Sequence, residues 1–213
     1  WIGMIGGGVN MANTRKAKFN LDRLSEAKRI LKSNSVRSIL LDDEGQLWMG
    51  ISTYGFGVED RRTGKFTHHG QMPDFSSYRG ISTVMSIMQS PSTGHIWIGV
   101  YNGGAYEIDQ SAPVGKRVKA HNSSNAPWMC NSCIYYICED SKQNLWFATK
   151  SGISMRAADG TSVRFDSLKV GDVAVRDMVV MQLVEGRDGE MWLASNTHGV
   201  IRIQGSGNSL SGY

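Results

Sequence analysis

The chain has 213 residues, 40% of them hydrophobic, and a formal net charge of +4. That is enough apolar content for a packed core, and 25 glycines against 4 prolines fit many turns rather than a low-complexity linker. No apolar run reaches the roughly 18 residues that span a bilayer, and the basic stretch from Arg15 to Arg37, broken by Asp22 and Glu26 with Phe19 as its lone aromatic, reads as a solvated face rather than a nucleic-acid patch.

In chain order, the first residues form a broken motif, Trp1-Ile2-Gly3-Met4 with Gly6-Gly7-Gly8-Val9. The chain therefore opens in mid-motif and reads as an excised piece, for which the lack of a visible signal peptide is uninformative. Asn10 to Ser35 follows, with Leu21, Leu24, Ala27 and Leu31 at helical spacing behind Asn20 as a cap, so a short amphipathic helix is expected there.

From Val36 onward one local grammar repeats. An apolar run comes first: Val36–Leu41, Val84–Met88, Ile134–Cys138 and Val179–Val184. Near-continuous apolarity over about five residues predicts a strand buried on both faces. A tight turn follows, closing on Gly45, Gly94, Asn144 and Gly189, the residue types that best tolerate positive φ. A tryptophan strand comes next: Leu47-Trp48-Met49-Gly50, Ile96-Trp97-Ile98-Gly99, Leu145-Trp146-Phe147-Ala148 and Met191-Trp192-Leu193-Ala194. Glycine-led third strands are predicted at Val58–Asp60, Tyr106–Asp109, Ile153–Arg156 and Val200–Ile203, and weaker fourth strands at Lys65–Thr67 and Val163–Phe165. Gln204 to Tyr213 is rich in Gly and Ser and shows no strand pattern.

Five of the six tryptophans (Trp1, Trp48, Trp97, Trp146 and Trp192) share one register, at intervals of 47, 49, 49 and 46 residues. Four antiparallel strands per repeat of this length make a β-propeller blade, in which each unit buries its apolar face only against its neighbours. The fold class is thus all-β: about four to five blades, an arc of a larger propeller. The partial blade covers about 1–20, and the repeats cover about 36–82, 83–132, 133–178 and 179–213. The open ends of such an arc need covering, by further blades of the same protein or by a homodimer.

The run Leu41-Asp42-Asp43-Glu44-Gly45-Gln46-Leu47-Trp48-Met49-Gly50, and Glu139-Asp140 followed by Asn144-Leu145-Trp146, resemble the two-component regulator propeller repeat. Ala148 and Ala194 depart from its Gly, Ser90-Pro91 from its acidic pair and Val100 from its Thr. The resemblance implies a periplasmic sensor region of a membrane-bound hybrid sensor histidine kinase, detecting an oligosaccharide and regulating polysaccharide use. The kinase and the membrane anchor would lie elsewhere in the protein.

The residues point to no chemistry of their own. There is no G-x-S-x-G, and the spacing of His68, His69, His95, His121 and His198 supports no triad, so isolated surface histidines are expected. His68 and His69, adjacent in a strand, would point to opposite faces and share no metal. Cys130-Asn131-Ser132-Cys133 lacks the second pair of a zinc site and runs into a strand. With Cys138 these are expected to be loop and core thiols, one disulfide remaining open. No cofactor, metal or catalytic residue is expected.

Ligand residues are sought where the repeats differ along one edge, in the loops between second and third strands: Tyr54, Tyr101, Asn102, Lys150, Asn196 and His198. Trp128, the tryptophan outside the register, is expected to overhang the same face. Stacking and hydrogen bonding from these suit a hydroxyl-rich ligand. Two other functions stay open: a propeller lyase or hydrolase using His198 and Lys150 across the channel, and a protein-binding scaffold.

Overall fold

The apolar runs and turns fold into a series of antiparallel sheets. The computed structural model describes residues 2–4, 8–13, 18–22, 35–78, 80–165, 168–206 and 209–212. A three-stranded sheet comes first, β1 (Ile2–Met4), β2 (Gly8–Asn13) and β3 (Lys18–Asp22). Four-stranded sheets follow. The first is β4 (Val36–Leu41), β5 (Gln46–Ile51), β6 (Gly55–Asp60) and β7 (Phe66–His68). The second is β8 (Val84–Gln89), β9 (Ile96–Val100), β10 (Gly104–Ile108) and β11 (Val118–His121). The third is β12 (Ile134–Glu139), β13 (Leu145–Thr149), β14 (Gly152–Arg156) and β15 (Ser162–Arg164), with a small hairpin, β16 (Lys169–Val170) and β17 (Val173–Ala174), after it. The last is β18 (Val180–Glu185), β19 (Met191–Ser195), β20 (Gly199–Ser206) and β21 (Ser209–Gly212). Each four-stranded sheet keeps sequence order, and the inner strands β4, β8, β12 and β18 lie side by side. The fold is a partial propeller arc.

The tryptophans pack sheet against sheet. Trp48 joins Phe56 and Val58 against Val84, Ile87, Ile96 and Ile98 of the next sheet. Trp97 and Ala105 meet Ile134, Ile137 and Phe147, and Trp146 meets Val180, Leu183 and Leu193. The residue two after Trp must be small, because the next inner strand passes there: a Cβ on Gly50 would run into Val84, and one on Gly99 into Ile134. Ala148, itself fully buried, fills that place in the third sheet.

A carboxylate fixes both turn and indole. The Asp42 carboxylate accepts from the amides of Glu44 and Gln46 and, through Oδ2, from the Trp48 indole at 2.8 Å. Asp140 does the same for Lys142, Asn144 and Trp146. These are Asx turns whose second oxygen reaches the sheet interface.

The fold departs from expectation at three places. Asn20 and Leu21 lie in β3, paired with Met11 and Asn10, not at the start of a helix. Ladder pairing satisfies backbone groups that a first helical turn leaves open; the rest of that expectation falls outside the described residues. The stretch after Gln204 is not strandless: β20 runs on to Ser206 and Ile203 pairs with Gly212 in β21, the ladder overriding weak Gly and Ser propensity. In the third tight turn the positive φ sits on Gln143 (64°) rather than Asn144, whose side-chain amide instead donates to Asp140.

Candidate ligand-binding face

Each inner strand carries a β-bulge at the same place, between Val36 and Ser38, Val84 and Ser86, Ile134 and Tyr136, and Val180 and Gln182. The extra residues, Arg37, Met85, Tyr135 and Met181, face no partner in the ladder. A bulge bends its strand and re-aims a side chain, so each blade offers one such side chain at the same edge.

The loops between second and third strands close over this edge. Each is tied backward to the start of its own inner strand: Ser52 N donates to Ser35 O, Tyr101 N to Thr83 O, Lys150 N to Cys133 O and Asn196 N to Val179 O, at 2.8–3.1 Å. Each of the first three is tied forward as well: Gly55 N donates to Ser82 O, Gly104 N to Ser132 O and Gly152 N to Met178 O. The glycine that opens the third strand is needed for this. Gly104 has φ 79°, and a Cβ on it would strike the His121 carbonyl oxygen. One rim of backbone hydrogen bonds thus runs from sheet to sheet around the face.

Six of the seven residues singled out from sequence lie in these loops, distributed over the four successive sheets. Tyr101 is 38% exposed, and its ring stands T-shaped on the bulge residue Tyr135 of the next sheet, centroids 6.0 Å apart. Burial, with Cys133 and Tyr101 nearby, raises the Tyr135 phenol pKa above its usual value. Asn102 is exposed with φ 60°, and its Oδ1 accepts from the Cys133 thiol at 2.9 Å. Tyr54 is half-buried, and its carbonyl accepts from His68 Nε2 at 2.7 Å. Lys150 and Asn196 are exposed. So is His198, whose Nδ1 is 2.6 Å from Thr197 Oγ1. Lys150 and His198 sit in the corresponding loops of neighbouring sheets, the third and fourth of the four-stranded series.

Trp128 does not belong to this face. Its ring packs on Phe147 at 5.1 Å and His121 at 5.9 Å, against the core between second and third sheets. The Gln110–Ser132 segment that carries it contains β11, a strand the sequence reading missed; His121, at the end of β11, stacks on Trp97 at 5.4 Å.

Apart from the exposed His198, the histidines are not isolated surface groups. His69 and His121 are buried. His95 Nδ1 and His121 Nε2 converge on the two oxygens of Glu107 at 3.0 and 3.1 Å, and Arg156 of the next sheet reaches the same carboxylate at 3.4 Å. Glu107 pairs directly with Trp97, where the neighbouring sheets pair Trp48 with Val58 and Trp146 with Met155. Burial alone would raise the Glu107 carboxyl, but the hydrogen bonds from His121 and His95 and the charge of Arg156 bring it down to about 2. Spacing hides this cluster because pairing between strands assembles it. A carboxylate where the first and third four-stranded sheets have Val58 and Met155 was its one legible sign.

His68 and His69 also depart from expectation. β7 ends at His68 and a 3-10 turn begins at His69, so the two rings lie 4.2 Å apart instead of on opposite faces. The cysteines are free thiols: Cys130 donates to Ile153 O, Cys133 to Asn102, and burial pushes the Cys138 thiol up to about 12. Among the described residues no group of three or more His, Cys, Asp or Glu side chains is placed to hold a metal ion. No helix among them is long and apolar enough to cross a membrane.

Residues 30–53 and 129–151 match the family described as two component regulator propeller. Two extracellular domains of hybrid two component systems from B. thetaiotaomicron share the fold. One has 19% identity and a TM-score of 0.67 over 95% of this chain and 26% of its own. The other has 21% identity and a TM-score of 0.64 over 86% of this chain and 24% of its own. A catalytically inactive virginiamycin B lyase from Staphylococcus aureus, crystallised with quinupristin, is similar at 16% identity and a TM-score of 0.64, covering 96% of this chain and 61% of its own. No curated protein matches. The chain spans about a quarter of the length of the two B. thetaiotaomicron domains. It is a β-propeller arc, two segments of which match the two component regulator propeller family.

Proposed function

We propose that this arc belongs to the extracytoplasmic, periplasmic sensor of a hybrid two-component kinase and binds an oligosaccharide on the rim face. We propose also that binding there signals to the regulation of polysaccharide use. The observation that carries the reading is the Tyr101–Tyr135 pair, which spans two sheets at an exposed edge with Asn102 beside it. Aromatic faces and amide groups suit the apolar faces and hydroxyls of a sugar. The forward and backward ties of each loop offer a route by which a ligand on one blade shifts its neighbour, provided it binds the two packings unequally.

The uncovered side of the last sheet, where Val200 is 70% and Val184 58% exposed, is assigned to a further blade of the same protein or to a second copy. The lyase has the same fold at low identity, which carries no activity over.

A thermal-shift screen against plant and host oligosaccharides tests this reading, because a ligand of the folded state raises the midpoint by mass action. The expected result is a saturable rise for one glycan that Tyr101→Ala or His198→Ala abolishes. Turnover of the glycan, or a rise indifferent to both substitutions, overturns it.

A further inference from the structure

The first four-stranded sheet holds two adjacent imidazoles beneath the loop that carries Tyr54. His68 uses both ring nitrogens in opposite senses: Nδ1 accepts from Gly70 N at 3.2 Å, while Nε2 donates to the Tyr54 carbonyl at 2.7 Å. Only the neutral Nε2–H tautomer makes both bonds. The His68 amide in turn donates to Gln71 Oε1, closing a capping box over the 3-10 turn His69–Gln71. His69 lies inside the sheet interface, stacked on Phe56 at 5.2 Å and edge-on to Phe75 at 6.5 Å. Its ring fills the space in front of Gly55, whose amide is the forward tie of this loop to Ser82.

We propose that His68 and His69 form a protonation-sensitive latch that holds the Tyr54 loop and the 3-10 turn closed, and that acidification opens. A proton on His68 Nδ1 removes the acceptor for Gly70. A proton on His69 places a cation among Phe56 and Phe75, 4.2 Å from its neighbour's ring. The groups facing the pair are Tyr54 from the loop, Phe56 and Gly57 from β6, and Phe75 from the following turn. Asp74, the acid on that turn, accepts from Gly115 N instead. Among the described residues no carboxylate forms an ion pair with either histidine, and the Phe56 carbonyl, 3.3 Å from His69 Nδ1, favours the added charge less than burial and His68 oppose it. Burial first, and His68 second, already depress His69 to about 4.

The opening itself is independent of ligand; its effect on binding rests on the face proposed above. Amide exchange at Gly55 and Gly70 of the whole chain, corrected for intrinsic rates, is compared at pH 7.5 and 5.0. Protonation of His69 in the open form alone predicts about 25-fold more opening at the lower pH. The change should vanish in His69→Phe combined with His68→Asn, which keeps the cap acceptor without a titrating ring. Equal protection at the two pH values overturns the latch, as does the same pH response in the double variant. Should that variant not fold, imidazole nitrogen shifts of the wild type at pH 7.5 decide: an Nδ1–H tautomer at His68 overturns it. Protection that changes with pH while no glycan binds keeps the latch and rejects the proposed ligand instead.

Discussion

Glu190 shows how one side chain can replace another from a different place in the turn. The tight turn of the last sheet has Gly186 where the first and third have Asp42 and Asp140. There Glu190 Oε1 accepts from the Trp192 indole at 3.0 Å and Oε2 from Asp188 N at 3.0 Å. A Cβ on Gly186 would fall on that carboxylate, so the glycine and the glutamate are one substitution in two parts. A contrast of the same kind separates two serines at matching positions. Ser86 Oγ accepts from Ile137 N of the next sheet at 3.1 Å, whereas the Ser38 hydroxyl is buried without a partner. Ser86→Ala orphans a buried amide and should cost about 1–3 kcal/mol. Ser38→Ala removes an unpaired polar atom and should be neutral or stabilising by up to about 1 kcal/mol. Urea unfolding of the two variants checks the opposite signs.

At the scale of elements, the tight turns do more than reverse the chain. Asp43 N donates to Gln89 Oε1, Ser90 Oγ to Glu139, and Ser141 N and Oγ to Glu185. Gln89, Glu139 and Glu185 are each the last residue of an inner strand, so each of the first three turns clasps the inner strand of the next sheet. The strands and turns were legible because alternation, glycine and the Asp-to-Trp spacing are local signals. The clasps, the bulges and β11 were not, since each depends on what a neighbouring strand brings. Gln143 shows the cost of reading a turn one residue out of step. It holds the left-handed conformation (φ 64°) that Gly45 and Gly189 hold in the matching turns. Gln143→Gly should therefore raise stability by about 0.5–1 kcal/mol, relieved strain outweighing the added chain entropy; a rise in Tm is the expected readout.

For the whole molecule, the second and third sheets are joined differently from the others. Around Trp97 and Phe147 the apolar interface is edged by Glu107, His95, His121 and Arg156. The folded Glu107 carboxyl is depressed from 4.5 to about 2, so the stability it supplies is present above its unfolded value and is lost as pH falls toward 2. Glu107→Gln should thus be most destabilising near pH 7 and approach the wild type in acid, as unfolding across pH 7 to 2.5 would show. The candidate ligand face was legible from sequence as a set of loops, since the motif locates them. Trp128 was misplaced because a lone aromatic in a long connection has no period to fix its side. The His68–His69 pair was missed because strand alternation was extended one residue past the end of β7.

The recurring bulges bear on how such an array diversifies. An ordinary strand position is constrained twice, by its cross-strand neighbour and by the sheet packed on it. Arg37, Met85, Tyr135 and Met181 are freed from the first constraint and range from half-buried to exposed, so they escape much of the second. A cation, a thioether, a phenol and a second thioether already occupy the four equivalent sites. The scaffold thereby separates the residues that keep it folded from those it exposes to selection, one free position per blade.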